Sequence, residues 1–372
     1  MKKLIVLTMI FAMSISLSGV AAAGNVGVGE VDTSLLKDTS GGVAPIVKVK
    51  WEANIDRYTD DSLSAGAQFD PSGHFEQNKT ITICAIVTDP DGLADIDSVY
   101  ADVFYPENIE LGDSHVALPG QSGEGCGELM QEDKMTVLTK QDGINLFCNL
   151  IRNDNPNLPE WLKDPSSGLP VYDYDEICAQ DGELWKDTAA VYCAEKDLSY
   201  EDPSGEYIVW ALAQDTNGKQ TILENSFTYL PMTAFETDFT SVNYGSVRLN
   251  THKIISGDLT WDALNMGGAS VRNVGNTRLQ MGVQQDDMGL GYTEGSGWNV
   301  IYDARVGSNV SFANYSPDAS IKYINDELDL SEMDEMDFSV LINKFPPTHE
   351  TDSYIGNMTL SARSRAHLLC TD

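Results

Sequence analysis

Apolar and polar residues alternate along this chain in short runs bounded by turn residues, and long amphipathic helical patterns do not occur. Residues 46–51 read Ile-Val-Lys-Val-Lys-Trp, and 80–87 read Thr-Ile-Thr-Ile-Cys-Ala-Ile-Val ahead of the turn Asp89-Pro90-Asp91-Gly92. The run 98–105 puts Val99, Ala101, Val103 and Tyr105 on one face of a strand. Residues 205–213 lead into the turn Asp215-Thr216-Asn217-Gly218, and 225–230 carry Phe227 and Tyr229 up to Pro231. These pieces predict a sandwich over 46–231. It is interrupted at about 106–200 by an excursion with a helix or two around Gly127 to Leu138.

After Pro231 the texture changes. Residues 235–249 alternate about Gly245, Ser256-Gly257-Asp258 makes a turn, and 269–281 form two short strands about the corner Asn273-Val274-Gly275-Asn276. Gly275 is expected there to supply a positive φ. Four further strands are predicted at 298–304, 320–324, 336–342 and 354–362, which makes 232–372 a second sandwich of jelly-roll type. The expected fold class is all-β, two antiparallel β-sandwich domains, the first with a long disulfide-bearing insertion.

The start of the chain predicts export. Lys2 and Lys3 precede an apolar stretch from Leu4 to Leu17, and Ala21-Ala22-Ala23 offers a cleavage site, so 1–23 reads as a signal peptide and 24–45 as a flexible segment. The apolar stretch is shorter than the ~20 residues a bilayer span needs. No second such run follows, so the mature chain is expected to carry no transmembrane span and to be secreted or held at the cell surface. Against 23 Lys plus Arg stand 57 Asp plus Glu, a formal charge of -34 that rules out nucleic acid and anionic membrane as partners and favours cations.

Six cysteines, Cys84, Cys126, Cys148, Cys178, Cys193 and Cys370, read as disulfides in an exported chain. Four of them crowd into 126–193, where two bridges are expected to staple an excursion with little hydrophobic pattern of its own. The pairing itself does not follow from spacing, and no Cys-x-x-Cys marks a zinc or redox site.

The Thr88-Asp89-Pro90-Asp91-Gly92 corner, the strand Gly205-Glu206-Tyr207 and the run Ala211 to Gly218 resemble the immunoglobulin-like modules of bacterial and archaeal surface proteins. That resemblance implies an Ig-like first sandwich that binds, spaces or assembles. The second half resembles the TasA and camelysin group of secreted β-sandwich fibre subunits, through Tyr244-Gly245-Ser246-Val247, Val271 to Thr277 and Tyr354 to Leu360. It departs from that group in having Ser256-Gly257-Asp258 where Pro-Gly-Asp stands, and in its large N-terminal half.

Candidate chemistry is sparse. Asp89, Asp91, Asp95 and Asp97 gather around a turn glycine and offer hard oxygen ligands to calcium, the one cofactor the sequence invites. In so acidic a chain a solvated corner is the stronger reading of the same residues. A second cluster, Asp326 to Asp337, interleaves acids with Leu328, Leu330, Met333 and Met336, which reads as a loop anchored on the sandwich. Trp161, Trp185, Tyr172 and Tyr174 in the excursion are candidate sugar-stacking aromatics, set against packing in a miniature core. Trp51, Trp210 and Trp261 lie in or beside strands and are expected in the core. No His-Glu-x-x-His, Gly-x-Ser-x-Gly, dinucleotide or Walker pattern occurs, and no catalytic residue is assigned.

The leading functional expectation is an exported surface or extracellular structural or adhesive protein that is not an enzyme. Its partners would be copies of itself, as a homopolymer, or cell-envelope components and glycans. Assembly would use edge-strand addition with 25–43 as donor or linker. The alternatives are a secreted glycan-binding protein using the excursion aromatics, and a secreted hydrolase with a dispersed carboxylate site.

Overall fold

A computed structural model of the chain describes residues 42–62, 66–151, 174–262, 267–318, 320–346 and 353–370. Residues Gly42–Asp372 form one contact unit, and the expected signal peptide and most of the expected flexible segment lie in the other, Met1–Gly41, outside the described residues. The chain is nearly all β.

In the first half the strands are β1 (Ile46–Asn54), β2 (Gln68–Phe69), β3 (Asn78–Thr88), β4 (Ile96–Phe104), β5 (Leu129–Lys134), β6 (Thr136–Val137), β7 (Ala189–Ser199), β8 (Gly205–Asp215) and β9 (Gln220–Tyr229). They build one sheet in the order β1-β3-β7-β6 and a second in the order β2-β9-β8-β4-β5. Every pairing is antiparallel except β2 with β9. Between the sheets lies a core that includes Ile81, Ile83, Ala85 and Val87 of β3, Val99, Ala101 and Val103 of β4, and Tyr207, Val209 and Ala211 of β8.

The sheet containing β3 is buried on both faces, which its apolar run anticipates. On the outer face Cys84 and Ile86 of β3 join Val49, Trp51 and Ala53 of β1 in a second core, closed by Ile144, Phe147 and Ile151 from the excursion. Trp51 and Phe147 pack with ring centroids 5.5 Å apart. The excursion is therefore the cover of that face, because the helical segment Lys140–Gly143, continued by Ile144–Ile151, turns its apolar residues onto it. Thr139 starts that segment by accepting a hydrogen bond at its hydroxyl from the Asp142 N–H, an N-terminal cap.

Three expectations change here. Residues around 127–138 form β5 and β6 rather than helix, and the described helices lie later, at 140–151, Tyr174–Cys178 and Glu183–Lys186. The end of the expected excursion is β7, the central strand beside β3. Alternation in β1 does not hold through its length: a bulge between Val47 and Val49 shifts the register, so Val49, Trp51 and Ala53 face the outer core. Lys50 and Glu52 become fully buried partners, 2.5 Å apart, with Asn225 of β9 donating to Glu52 at 2.8 Å.

The second half adds β10 (Phe235–Thr237), β11 (His252–Ile255), β12 (Ser270–Asn273), β13 (Arg278–Gln285), β14 (Tyr292–Thr293), β15 (Gly297–Trp298), β16 (Val300–Val306), β17 (Ala313–Tyr315), β18 (Lys322–Tyr323), β19 (Met333–Ile342) and β20 (Met358–Arg365). One sheet runs β10-β12-β19-β16-β17, with β11 also on β19, and it faces a three-stranded sheet β18-β13-β20. Leu279, Met281 and Val283 of β13 meet Tyr302, Phe338 and Val340 between them. Of the alternating stretch 235–249, only Phe235–Thr237 forms a strand.

The halves are tied through the corner 273–276. Asn276 is fully buried; its backbone carbonyl accepts from Ser204 N at 2.9 Å, and its side chain bonds Met232 N and the Leu230 carbonyl. Gly275 does not take a positive φ. Glycine is needed for a different reason: a Cβ there would sit 2.4 Å from the Met232 carbonyl oxygen.

All six cysteines pair: Cys84 with Cys193, Cys126 with Cys370, and Cys148 with Cys178. The expectation of two bridges within 126–193 is corrected to one, Cys148–Cys178. Cys193 instead crosses to its register partner Cys84 on β3, and Cys126 reaches 244 positions along the chain to Cys370. No described helix is long and apolar enough to cross a membrane.

Candidate functional site

Three connections meet at one end of the first pair of sheets. The β3–β4 turn carries Asp89, Asp91 and Asp95, the β8–β9 turn carries Asp215, and Gly42–Val43 leads into β1. One oxygen from each of Asp89, Asp91 and Asp95 lies within 4.8 Å of the others. The turn forms because Asp89 Oδ1 accepts the Asp91 N–H at 2.7 Å, Gly92 adopts φ 109°, and Leu93–Asp95 close a single 3-10 turn. Asp95 is held from the other turn: its carbonyl accepts Thr216 N at 2.8 Å and its carboxylate accepts the Thr216 hydroxyl. Asp91 accepts the Val43 N–H.

Exposure grades across the group. Asp91 is exposed, Asp95 half-buried, and Asp89 only 4% exposed. Burial pushes the Asp89 carboxyl above its usual range, and the charges of Asp95, Asp91 and Asp215 push the same way. Asp97 stands apart from the three: it is exposed and accepts from its neighbour Ser98.

The other candidates fare differently. Trp161 and Tyr172 lie outside the described residues, and Tyr174 begins the helix Tyr174–Cys178. Trp185 is 40% exposed, with its indole N–H donated to the Cys178 carbonyl at 3.2 Å. Trp51 is in the core as expected. Trp210 is half-buried against Phe104, and Trp261 is half-buried, with the Arg272 guanidinium 3.7 Å over its ring.

The acidic stretch 326–337 is anchored by buried Leu328, Leu330 and Met336. Its acids are partly neutralised by arginines of other strands, because Glu327 meets Arg365 and Arg278, Asp329 meets Arg278, and Asp337 meets Arg305. Ser204 Oγ and His367 Nε2 lie 2.9 Å apart, but Ser204 is buried and His367 Nδ1 meets no partner among the described residues. That pair lacks the third group that would orient the imidazole.

A cleft of about 1010 Å³ opens in the second half between residues 240–247 and 353–358, with Phe345, Tyr354 and Ile355 at its wall. No local sequence pattern marks it, since its walls are far apart in the chain.

No family model matches the chain, and no curated protein matches it. Among solved structures, the chaperone–tip adhesion subunit complex of the archaic Csu pili of Acinetobacter baumannii is 12% identical, covering 81% of this chain and 99% of that one, at TM-score 0.23. The C-terminal domain of the Streptococcus pyogenes antigen I/II-family protein AspA is 13% identical over 88% and 98%, at TM-score 0.21. A carbohydrate-binding module of the β-sandwich superfamily is 10% identical over 88% and 98%, at TM-score 0.20. Likenesses this low carry no argument about what the chain does, and the fold class rests on its own sheets.

Proposed function

We propose that this chain is an exported surface or extracellular protein that acts by binding or self-assembly rather than by catalysis. The observation that carries the reading is an all-β body stapled by three disulfides with no thiol left over. Such bridges form and persist outside the reducing cytosol. One sheet also ends in an open strand: β20 lies at the edge of its sheet, with four of its eight residues exposed and the other four half-buried. An unpaired edge offers a row of N–H and C=O groups that a strand from another chain can complete. The donor expected from the sequence, 25–43, lies outside the described residues apart from Gly42 and the exposed Val43.

Negative-stain electron microscopy of the purified exported protein over a range of concentrations tests this. Filaments or sheets are expected, and deletion of 25–43 should leave folded single particles. Polymers that persist in the deletion would remove 25–43 as donor, and single particles throughout would remove self-assembly. A second reading, glycan binding, is favoured by the cleft at Phe345 and Tyr354 and by exposed Trp185. Loss of polysaccharide retention in Tyr354→Ala or Trp185→Ala with an intact fold would establish it.

A further inference from the structure

The turn at Asp89 differs from an ordinary solvated corner in one respect. Asp89 Oδ1 is engaged by the Asp91 N–H, whereas Asp89 Oδ2 is buried and meets no donor among the described residues. Asp215, only 1% exposed, repeats the arrangement from the opposite turn. Its Oδ1 accepts Asn217 N and Lys219 N at 2.8 Å each, and its Oδ2 is buried and meets no donor among the described residues. Two buried carboxylates thus each keep an oxygen without a donor among the described residues; Asp89 belongs to the group with Asp91 and Asp95, whose oxygens lie within 4.8 Å of one another, and the charge of Asp215 acts on Asp89 from the neighbouring turn. Leaving such an oxygen unpaired costs free energy that a cation would recover.

None of Asp89, Asp91, Asp95 and Asp215 takes part in a described ion pair, in contrast to Glu327, Asp329 and Asp337. The ammonium of Lys219, on the same turn as Asp215, is donated to the Gly42 carbonyl at 2.5 Å. Gly42 completes the rim: at φ 56° its backbone passes so close that a Cβ would lie 2.6 Å from Asp91 Oδ2 and 3.4 Å from Asp95 Oδ2.

We propose that Asp89, Asp91 and Asp95, joined by Asp215 from the β8–β9 turn, form a calcium site that clasps the three connections at this end of the sheets. Hard oxygen donors in turns suit calcium, which accepts irregular shells of six to eight oxygens. Magnesium demands near-octahedral geometry and holds its waters. The site differs from the one read in the sequence by exchanging Asp97 for Asp215.

The test is isothermal titration of calcium chloride into the chelator-treated exported protein at about physiological salt, where diffuse attraction to the acidic surface is screened. A saturable site is expected. Its affinity should fall at least about tenfold, or the site should vanish from the stoichiometry, in Asp89→Asn and Asp215→Asn, and stay unchanged in Asp97→Asn. Near-UV circular dichroism checks the fold, and where Asp215→Asn does not fold, Asp91→Asn at the exposed rim takes its place. The proposal is overturned by the absence of saturable binding, by binding indifferent to Asp89→Asn, or by loss in Asp97→Asn. Magnesium binding as tight as calcium would overturn the calcium assignment.

Discussion

Asp102 shows how burial and one neighbouring charge set the titration of a single side chain. It lies on β4 opposite Glu132 on β5; burial, then the Glu132 charge, raises its pKa from 3.8 to about 6, and Lys196 acts in the opposite direction. A folded-state pKa above the unfolded one means that the folded chain binds the proton more tightly. The favourable contribution is therefore complete below about pH 4 and is lost as pH rises through about 6. Asp102→Asn should stabilise the protein at about pH 7 by roughly 1–2 kcal/mol, after allowance for solvent screening, and leave it unchanged at about pH 4. Thermal melts at both values check this, and an equal gap at both would remove the titration as its cause. Lys196 keeps Asp133 as a partner at 2.7 Å in the variant. Gly275 is the complementary case, legible as a special residue in its Asn-x-Gly-Asn corner but for the wrong reason. Its constraint comes from residues 232–234, which no local pattern reveals.

Among the elements, β8 explains why the Gly205-Glu206-Tyr207 motif carries fold information. Tyr207 is fully buried, its ring stacks on Phe227 at 5.1 Å, and its hydroxyl donates to the Pro203 carbonyl at 2.8 Å, just before the strand begins. A tyrosine bonding back to the backbone ahead of its strand is a feature of immunoglobulin-type sandwiches. Tyr207→Phe keeps the ring and strands the Pro203 carbonyl, so a loss of about 1–2 kcal/mol in urea unfolding is expected. No loss would mean that water or a rearranged turn supplies the missing donor. In the excursion the reverse holds. Its apolar residues Ile144, Phe147 and Ile151 were in plain view, but they show periodicity over only two short turns, and their partner face lies on strands far away in the chain.

At the scale of the whole molecule, the disulfides link regions that the sequence separates. Cys126–Cys370 joins the β4–β5 connection to the last described residue, where Ile109 bridges Leu369 and Glu110 N donates to the Leu368 carbonyl at 3.0 Å. Replacing both cysteines by alanine should cost about 2–5 kcal/mol. Replacing Cys148 and Cys178, only 30 positions apart, should cost less, because a shorter loop restricts the unfolded chain less. Urea midpoints for the two double variants decide this; the reverse order would place the stabilisation in native contacts instead of in the unfolded state.

By itself the sequence determined the all-β class, the runs that become β3, β4, β8 and β19, the oxidised cysteines and the acidic corner at Asp89, because strand alternation, turn chemistry and charge are local properties. Only the tertiary structure decided that β7 is the central partner of β3, that the excursion roofs a second core, and which cysteines meet. It also decided that Asp215, 126 positions from Asp89 by their residue numbers, shares its corner. Each of these depends on which faces remain apolar after neighbouring strands have paired, and on oxygens left without donors once distant turns are brought together. A one-dimensional pattern holds neither quantity.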